Sequence, residues 1–215
     1  NSHYGIEAQK VLDDGKKILE IIIADQSLKA KGIIGIFPAT AINESVFTEG
    51  IEFNFPRQLI DKGKNEIQYS LADFISPKED YIGIFALTTG HGVKELVKKF
   101  ELMNDDYNAI MVKIIADRLA EAFAECMHEK VRMEIWGYAK NESLDNDELI
   151  KEKYQGIRPA PGYPACPSHD EKDKIWKILD VEKKIHITLT ENMAMYPEAS
   201  ICGWYFSHPK SKYFS

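Results

Sequence analysis

The residues best suited to bind a ligand lie in a proline-rich stretch that runs from Gly156 to Pro167. Four of the nine residues between 159 and 167 are proline. Proline fixes φ and favours an extended backbone at the residue before it, so the stretch is stiff and its carbonyl oxygens lack local amide partners. We therefore predict a preformed loop whose carbonyls face outward, where they suit the amino groups of a small ligand.

Three residues of this loop favour an amino acid-like ligand. Arg158 can hold a carboxylate through two parallel hydrogen bonds, Gly162 lets a ligand approach the backbone, and Tyr163 offers an aromatic face and a hydroxyl. From the residues alone, two simpler interpretations stay open. The loop could be a rigid surface segment in which Arg158 makes an ordinary ion pair, or a proline-rich segment that a partner recognises.

A row of carboxylates at four-residue spacing is the second chemical feature, and it consists of Asp117, Glu121 and Glu125. On a helix these side chains share one face, where like charges oppose one another unless a cation lies nearby. Arg118 and Arg132 could supply that cation in an intramolecular network. The alternative is the ammonium or sulfonium group of a ligand.

Other candidate residues predict neither a metal site nor a catalytic set. Cys166 and His169 have the spacing of half a zinc site, but no second pair of ligands follows at a compatible distance. His91 lies between two glycines without a phosphate-binding motif around it, so we interpret it as part of a strand-to-helix turn. His208 is interpreted as a strand-end residue, and no nucleophile–base arrangement can be assembled.

Apolar residues at spacings of three and four predict the helices. Asn104-Asp105-Asp106 supplies caps for a long helix, which we expect to be central because apolar residues cover much of its circumference. Ser143 is a candidate cap for a shorter helix, and Ser168 with Glu171 has capping-box spacing. The predicted helices are Glu7–Ile23, about Tyr107–Tyr138, Asp145–Tyr154 and one that runs from Ser168 to about Asp180.

Short runs rich in isoleucine and phenylalanine predict buried strands. A strand at Ser200–Ser207 would place Trp204 and Phe206 on one face. The other predicted elements are strands at Gly32–Phe37 and Tyr81–Leu87, a hairpin within Val46–Asn54 and a short element at Ser70–Ile75. Because strands and helices do not alternate regularly, the pattern favours an α+β fold.

The overall composition argues against a nucleic-acid partner and against a membrane. The formal net charge is −7 and the pI about 5.4, and no cluster of lysine and arginine offsets that charge, so we expect no nucleic-acid partner. Apolar runs are too short to cross a bilayer, so no membrane association is expected. Three widely separated cysteines, Cys126, Cys166 and Cys202, favour a reducing, cytoplasmic location.

Seven runs, taken in order along nearly the whole chain, resemble the C-terminal activation domains of vitamin B12-dependent methionine synthases. The runs are Gly5–Gln9, Asp105–Asn108, Ile110–Lys113, Ala116–Glu125, Trp136–Tyr138, Gln155–Pro167 and Gly203–Pro209. The resemblance implies one domain over residues 1–215, a C-shaped, helmet-like α+β fold. Its twisted, mostly antiparallel central sheet would be flanked by helices that include one long central helix.

The resemblance also implies a function in repair. The domain would bind S-adenosylmethionine and dock on the cobalamin-binding domain of the same polypeptide. An electron from a flavodoxin-type donor and the methyl group of S-adenosylmethionine would convert cob(II)alamin to methylcobalamin, while the parent methyltransferase moves methyl from 5-methyltetrahydrofolate to homocysteine. The isolated domain is then expected to bind its ligand without turnover. The alternative is a standalone corrinoid-reactivation protein of the same fold that acts in trans.

Site residues follow from the resemblance by position. Arg158 would bind the ligand carboxylate, acidic groups would offset the cationic ligand, and a C-terminal aromatic pair would contact it. The full set is Arg158, Ala160, Gly162, Tyr163, Tyr213, Phe214, Asp117, Glu121 and Glu152. This chain has Phe214 where the family usually has tyrosine, so one hydroxyl is lost. The family's domain is expected to begin earlier, with an aspartate that meets the ligand's ammonium group, and to continue into further C-terminal helices.

Overall fold

The computed structural model of the chain describes residues 2–58 and 67–214. Within these ranges there are six α-helices: α1 (Ser2–Asp25), α2 (Val93–Leu102), α3 (Asp106–Lys130), α4 (Asn146–Ile150), α5 (Glu171–Leu179) and α6 (Val181–Ile185). The strands there are β1 (Lys29–Ile42), β2 (Ser45–Thr48), β3 (Ile51–Asn54), β4 (Asp80–His91), β5 (Thr188–Leu189), β6 (Met195–Tyr196) and β7 (Ser200–Tyr205).

Five strands form one antiparallel sheet in the order β3-β2-β1-β4-β7, which confirms the α+β prediction. The two long strands, β1 and β4, pair directly, with Ile34 opposite Phe85. Both contain the predicted strand segments. The hairpin expected within Val46–Asn54 is also confirmed as β2 and β3, with Val46 opposite Phe53.

The sheet is packed on both faces. On one face Trp204 and Phe206 join a core with Phe55, whose ring centroid lies 4.9 Å from that of Trp204 in an edge-to-face contact. On the other face Tyr205 stacks on Phe85 at 4.5 Å beneath α3. Alternate residues of β7 therefore fill separate cores, and the predicted sharing of a face by Trp204 and Phe206 is confirmed.

Helix α3 lies against the sheet through alanines: Ala116, Ala120 and Ala124 are buried against β4 and β7. Small side chains let the helix backbone approach the sheet closely. By contrast, Ile110 is 58% and Ile114 48% exposed. The long helix is therefore confirmed, and two of the apolar residues in its predicted pattern, Ile110 and Ile114, face outward.

Several predicted boundaries are corrected by cap geometry. Helix α3 ends at Lys130 and continues as a π-helical turn at Val131–Ile135, short of the predicted end at Tyr138. Asp145, and not Ser143, caps α4, because its carboxylate accepts a hydrogen bond from the Glu148 amide. The predicted capping box at α5 is absent, since the Ser168 hydroxyl accepts a hydrogen bond from the Asp170 amide two residues away.

Two short segments complete the fold. The element expected at Ser70–Ile75 is a 3₁₀ turn at Leu71–Phe74, closed by a capping box between Ser70 and Asp73. His91 ends β4 directly before α2, as the interpretation of a strand-to-helix turn requires. None of the described helices is long and apolar enough to cross a bilayer.

Candidate functional site

The proline-rich loop is attached to the edge of the sheet by backbone hydrogen bonds. Ile157 and Phe206 each donate an amide to the other's carbonyl at 3.0 Å, and the Trp204 amide donates to the Pro159 carbonyl at 3.0 Å. The expectation that the loop's carbonyls face outward is therefore wrong at Ile157 and Pro159, because amides of β7 and of Phe206 directly after it bond to both. The start of the loop is held in place by the sheet as well as stiffened by proline.

Gly203 permits this close approach between β7 and the loop. A Cβ atom at Gly203 would lie 2.3 Å from the Pro159 carbonyl oxygen. Real Cβ atoms do not come so close to a backbone atom, so any side chain at this position would push the loop away from β7. The importance of Gly203 is not evident from the sequence alone.

The structure shows why position 162 requires glycine, which the sequence did not reveal. Its φ is +94°, which favours glycine, and a Cβ there would lie 2.1 Å from the His169 ring. Its amide donates to the Cys166 carbonyl at 2.8 Å, which closes the turn that presents Tyr163. The missing side chain thus admits His169, and this imidazole lines the cavity described next, whereas Gly162 itself does not.

A cavity of about 900 Å³ opens between the loop, the acidic face of α3 and the C-terminal segment. Its size is within the range of small-molecule sites. Seven of the nine predicted site residues line it: Glu121, Glu152, Arg158, Ala160, Tyr163, Tyr213 and Phe214. Asp117 lines a neighbouring cavity of about 380 Å³ with Arg118 and Glu198, and Glu121 borders both cavities. The structure therefore assembles most of the predicted set around one cleft.

Arg158 is the main cation of this cleft. Its Nη2 donates to Glu125 Oε2 at 3.3 Å, and its Nη1 lies 3.9 Å from Glu121 Oε2. Its Nε is buried and has no acceptor among the described residues. Burial alone would lower the pKa of Arg158, but nearby Tyr213 and Glu125 raise it above its ordinary value, so the guanidinium stays charged.

Two arginines provide the positive charge expected beside the carboxylates of α3. Arg132 lies 3.9 Å from Glu125, as one of the two intramolecular candidates predicted. Arg158 is the other cation, and it comes from the loop 33 residues away. Arg118 has no ion pair among the described residues and lines the smaller cavity instead.

The C-terminal aromatic pair reaches the same cleft. The Tyr213 hydroxyl accepts a hydrogen bond from the Arg158 backbone amide at 2.9 Å, so it fixes the base of the arginine side chain. Phe214 packs with Tyr69 and Phe74, at centroid distances of 5.9 and 6.4 Å. Both rings border the cavity, and their places depend on contacts far away in the sequence.

Polar residues that line the cavity but were not predicted as ligand-binding from the sequence include Tyr154, His169 and Lys172. The Lys172 ammonium is nearly buried and donates to the Met193 carbonyl at 2.8 Å. The spacing of Cys166 and His169 did single out the histidine, but as half of a zinc site. Cys166 is buried, with its thiol near the Asn54 carbonyl, while His169 borders the cavity.

Among the side chains that the structure describes, no three from His, Cys, Asp or Glu lie together as metal ligands. His208 follows β7 and is exposed, and its Nδ1 accepts a hydrogen bond from the Lys210 amide. This placement confirms its interpretation as a strand-end residue.

The fold and the cleft together define an α+β domain built to hold a small charged ligand against a stiff backbone wall. The family model for the activation domain of vitamin B12 dependent methionine synthase matches residues 1–215. The chain therefore belongs to this family, and so to a domain of a methyltransferase.

A solved structure supports this assignment. The crystal structure of the MetH reactivation domain bound to AdoHcy is similar to this chain, with a TM-score of 0.93 and 49% sequence identity. The match covers 98% of this chain and 68% of that one. Because both matches are to a domain of methionine synthase, a standalone protein that acts in trans is not favoured.

Proposed function

We propose that the 900 Å³ cavity binds S-adenosylmethionine and its demethylated product S-adenosylhomocysteine (AdoHcy), and that this binding serves reactivation of the parent methionine synthase. The observation that carries the proposal is the position of Arg158 in the wall of the cavity, where its side chain is only 21% exposed and its buried Nε has no acceptor among the described residues. A similar domain was crystallised with AdoHcy, whose amino acid part bears a carboxylate.

Each predicted residue has a specific part in this proposal. Arg158 binds the ligand carboxylate, while Ala160 and Tyr163 line the adenosine and methionine portions. Gly162 acts indirectly, because it admits the His169 ring. Tyr213 fixes the Arg158 backbone. The packed Phe214 ring contacts the ligand, but it lacks the hydroxyl that a tyrosine would offer there.

The acidic residues balance the ligand's positive charges. Glu121 and Glu152 border the cavity, where their carboxylates attract an ammonium or sulfonium group. Asp117 contributes from the neighbouring cavity, at longer range. These charges are partly exposed, so water screens them and each contributes modestly.

The chain's residues bind and orient the ligand, and none needs to transfer a proton. Bound S-adenosylmethionine supplies the methyl group that the parent enzyme's oxidised cobalamin needs, once an electron has been delivered. We propose that a neighbouring domain of the same polypeptide holds the cobalamin and that a flavodoxin-type protein donates the electron. The isolated domain therefore binds without turnover.

We also propose a cytoplasmic location. Cys126, Cys166 and Cys202 are all free thiols, and free thiols persist where the compartment is reducing. Burial raises the pKa of Cys166 and of Cys202 to about 12, so these two thiols stay protonated and unreactive.

Calorimetric titration of S-adenosylmethionine and AdoHcy into the protein tests the proposed ligand. Wild type should bind both compounds, and Arg158→Ala should weaken binding by about 1.5 to 3 kcal/mol, the scale of a hydrogen bond to a charged group. Arg118→Ala is the matched control, because it removes the same charge from an exposed position without an ion pair, and it should bind as wild type does. Absence of binding by wild type, or equal binding by Arg158→Ala, would contradict the proposal.

A further inference from the structure

Arg132 is a fixed guanidinium beneath the acidic face of α3. Its side chain is fully buried, and its Nε and Nη2 donate to the Glu142 carboxylate at 2.7 to 3.0 Å. Its guanidinium carbon also lies 4.2 Å from the centre of the Tyr154 ring. A paired, forked contact of this kind leaves the guanidinium little freedom.

Glu125 lies between this fixed guanidinium and Arg158. Its Oε1 is 3.9 Å from Arg132 Nη1, and its Oε2 accepts the hydrogen bond from Arg158 Nη2 at 3.3 Å. Charges therefore alternate along Glu142, Arg132, Glu125 and Arg158. Because Arg132 is fixed, its attraction restricts the Glu125 carboxylate, and Glu125 in turn restricts the Arg158 guanidinium.

The two ends of the Arg158 side chain are held by different groups. Tyr213 holds its backbone amide, whereas the ion-pair partners of the guanidinium among the described residues are the carboxylates of Glu121 and Glu125. Of these, Glu121 is 57% exposed and 3.9 Å away, and Glu125 is 29% exposed and 3.3 Å away. The closer and less exposed carboxylate has the stronger orienting effect, since water screens the other.

We propose that Glu125, held by the pair of Arg132 and Glu142, is a positioning residue that orients the Arg158 guanidinium to receive the ligand carboxylate. This inference rests on the proposed function. Glu125 occupies one N–H group and leaves the remaining donors of Arg158 for the ligand. A guanidinium oriented in advance loses less conformational entropy when the ligand binds.

The test compares Glu125→Gln with wild type in calorimetric titrations of AdoHcy and of 5′-methylthioadenosine, which lacks the amino acid carboxylate. Glutamine keeps the size of the side chain and removes its charge. We expect about 10-fold weaker binding of AdoHcy, the scale of one charge-assisted contact, and less than about 2-fold change for methylthioadenosine. Thermal unfolding of each variant checks that it is folded.

Glu129→Gln is the matched control, because Glu129 lies one turn further along α3 and has no ion pair or hydrogen bond among the described residues. It should leave both affinities within about 2-fold of wild type, because this half-buried carboxylate has no charged partner among the described residues. If methylthioadenosine binds too weakly to measure, the double variant decides. Adding Glu125→Gln to Arg158→Ala should then change AdoHcy affinity by less than about 2-fold, because coupled residues are not additive.

Three results would overturn the inference. Unchanged AdoHcy binding by Glu125→Gln would remove the positioning role, and tighter binding would make Glu125 a competitor of the ligand carboxylate. An equal loss for both ligands, or the full loss again in the Arg158→Ala background, would indicate a general structural role. Failure of wild type to bind AdoHcy would instead refute the proposed function itself.

Discussion

The two walls of the cavity are built on different principles. The loop wall takes its position from backbone hydrogen bonds of 3.0 Å to β7 and from the close approach that Gly203 allows. The helix wall presents partly exposed carboxylates whose distances to Arg158 are 3.3 and 3.9 Å. We conclude that backbone packing gives the cavity its shape, and we propose that the charged side chains on the helix determine which ligand charges it accepts.

Gly203→Ala should have the largest effect of the substitutions considered, and this effect should arise at the loop wall alone. The added Cβ would collide with the Pro159 carbonyl and break its hydrogen bond with the Trp204 amide. Overpacking costs about 1 to 3 kcal/mol and a lost hydrogen bond about 1 more, so we expect the free energy of unfolding to fall by about 3 kcal/mol. Urea denaturation measures this change.

Gly5→Ala is the control for that experiment, since the Cβ it would add on α1 has no tertiary contact within 4 Å among the described residues. Alanine also favours helix formation, so this variant should be as stable as wild type or slightly more stable. If Gly203→Ala retained full stability, the loop would not depend on close contact with β7.

The pH dependence of the free energy of unfolding tests the burial of His128 on α3. Burial, with the charges of Arg132 and Arg158, lowers the pKa of His128 from 6.5 to about 2. Below pH 6.5 the unfolded chain takes up a proton that the folded chain does not, so the free energy of unfolding must fall as pH falls. Well below pH 6.5, the contribution of His128 to the free energy of unfolding falls by about 1.4 kcal/mol for each pH unit.

His128→Gln should reduce this slope between pH 6.5 and 5, whatever its effect on absolute stability. Denaturant unfolding at each pH supplies the measurement. An unchanged slope in His128→Gln would show that the buried imidazole takes up a proton in the folded state.

Glu121→Gln should have the smallest effect, and it should weaken binding of S-adenosylmethionine more than binding of AdoHcy. Glu121 is 57% exposed and lies 3.9 Å from Arg158, so water screens its charge. We expect a loss of about 0.5 kcal/mol for S-adenosylmethionine, the scale of an exposed ion pair, and less for AdoHcy, whose sulfur is neutral. The ratio of the two calorimetric affinities is the decisive quantity, and an equal ratio in wild type and variant would exclude a contribution of Glu121 to recognition of the sulfonium.

The sequence predicted the stiff loop and Arg158 because their chemistry is local. It could not predict that Pro159 pairs with Trp204 or that Arg158 meets Glu125, since these contacts join residues 45 and 33 positions apart along the chain. Such non-local contacts are set by the tertiary fold. The resemblance to a known family, and not residue spacing, supplied Tyr213 and Phe214.

Side-chain size explains which apolar residues of helix α3 are buried. The sequence pattern predicted the helix but not that Ile110 and Ile114 face outward, because the alanines allow closer approach to the sheet and are buried instead. The cap at Asp145 was missed because two good capping residues lie two positions apart, and local sequence does not decide between them.

A crystal structure of this protein with AdoHcy would test the central claim most directly. We predict the ligand carboxylate within hydrogen-bonding distance of the Arg158 guanidinium, with the adenosine against Ala160 and Tyr163. AdoHcy bound in another cavity, or bound in this one with its carboxylate away from Arg158, would contradict the assignment.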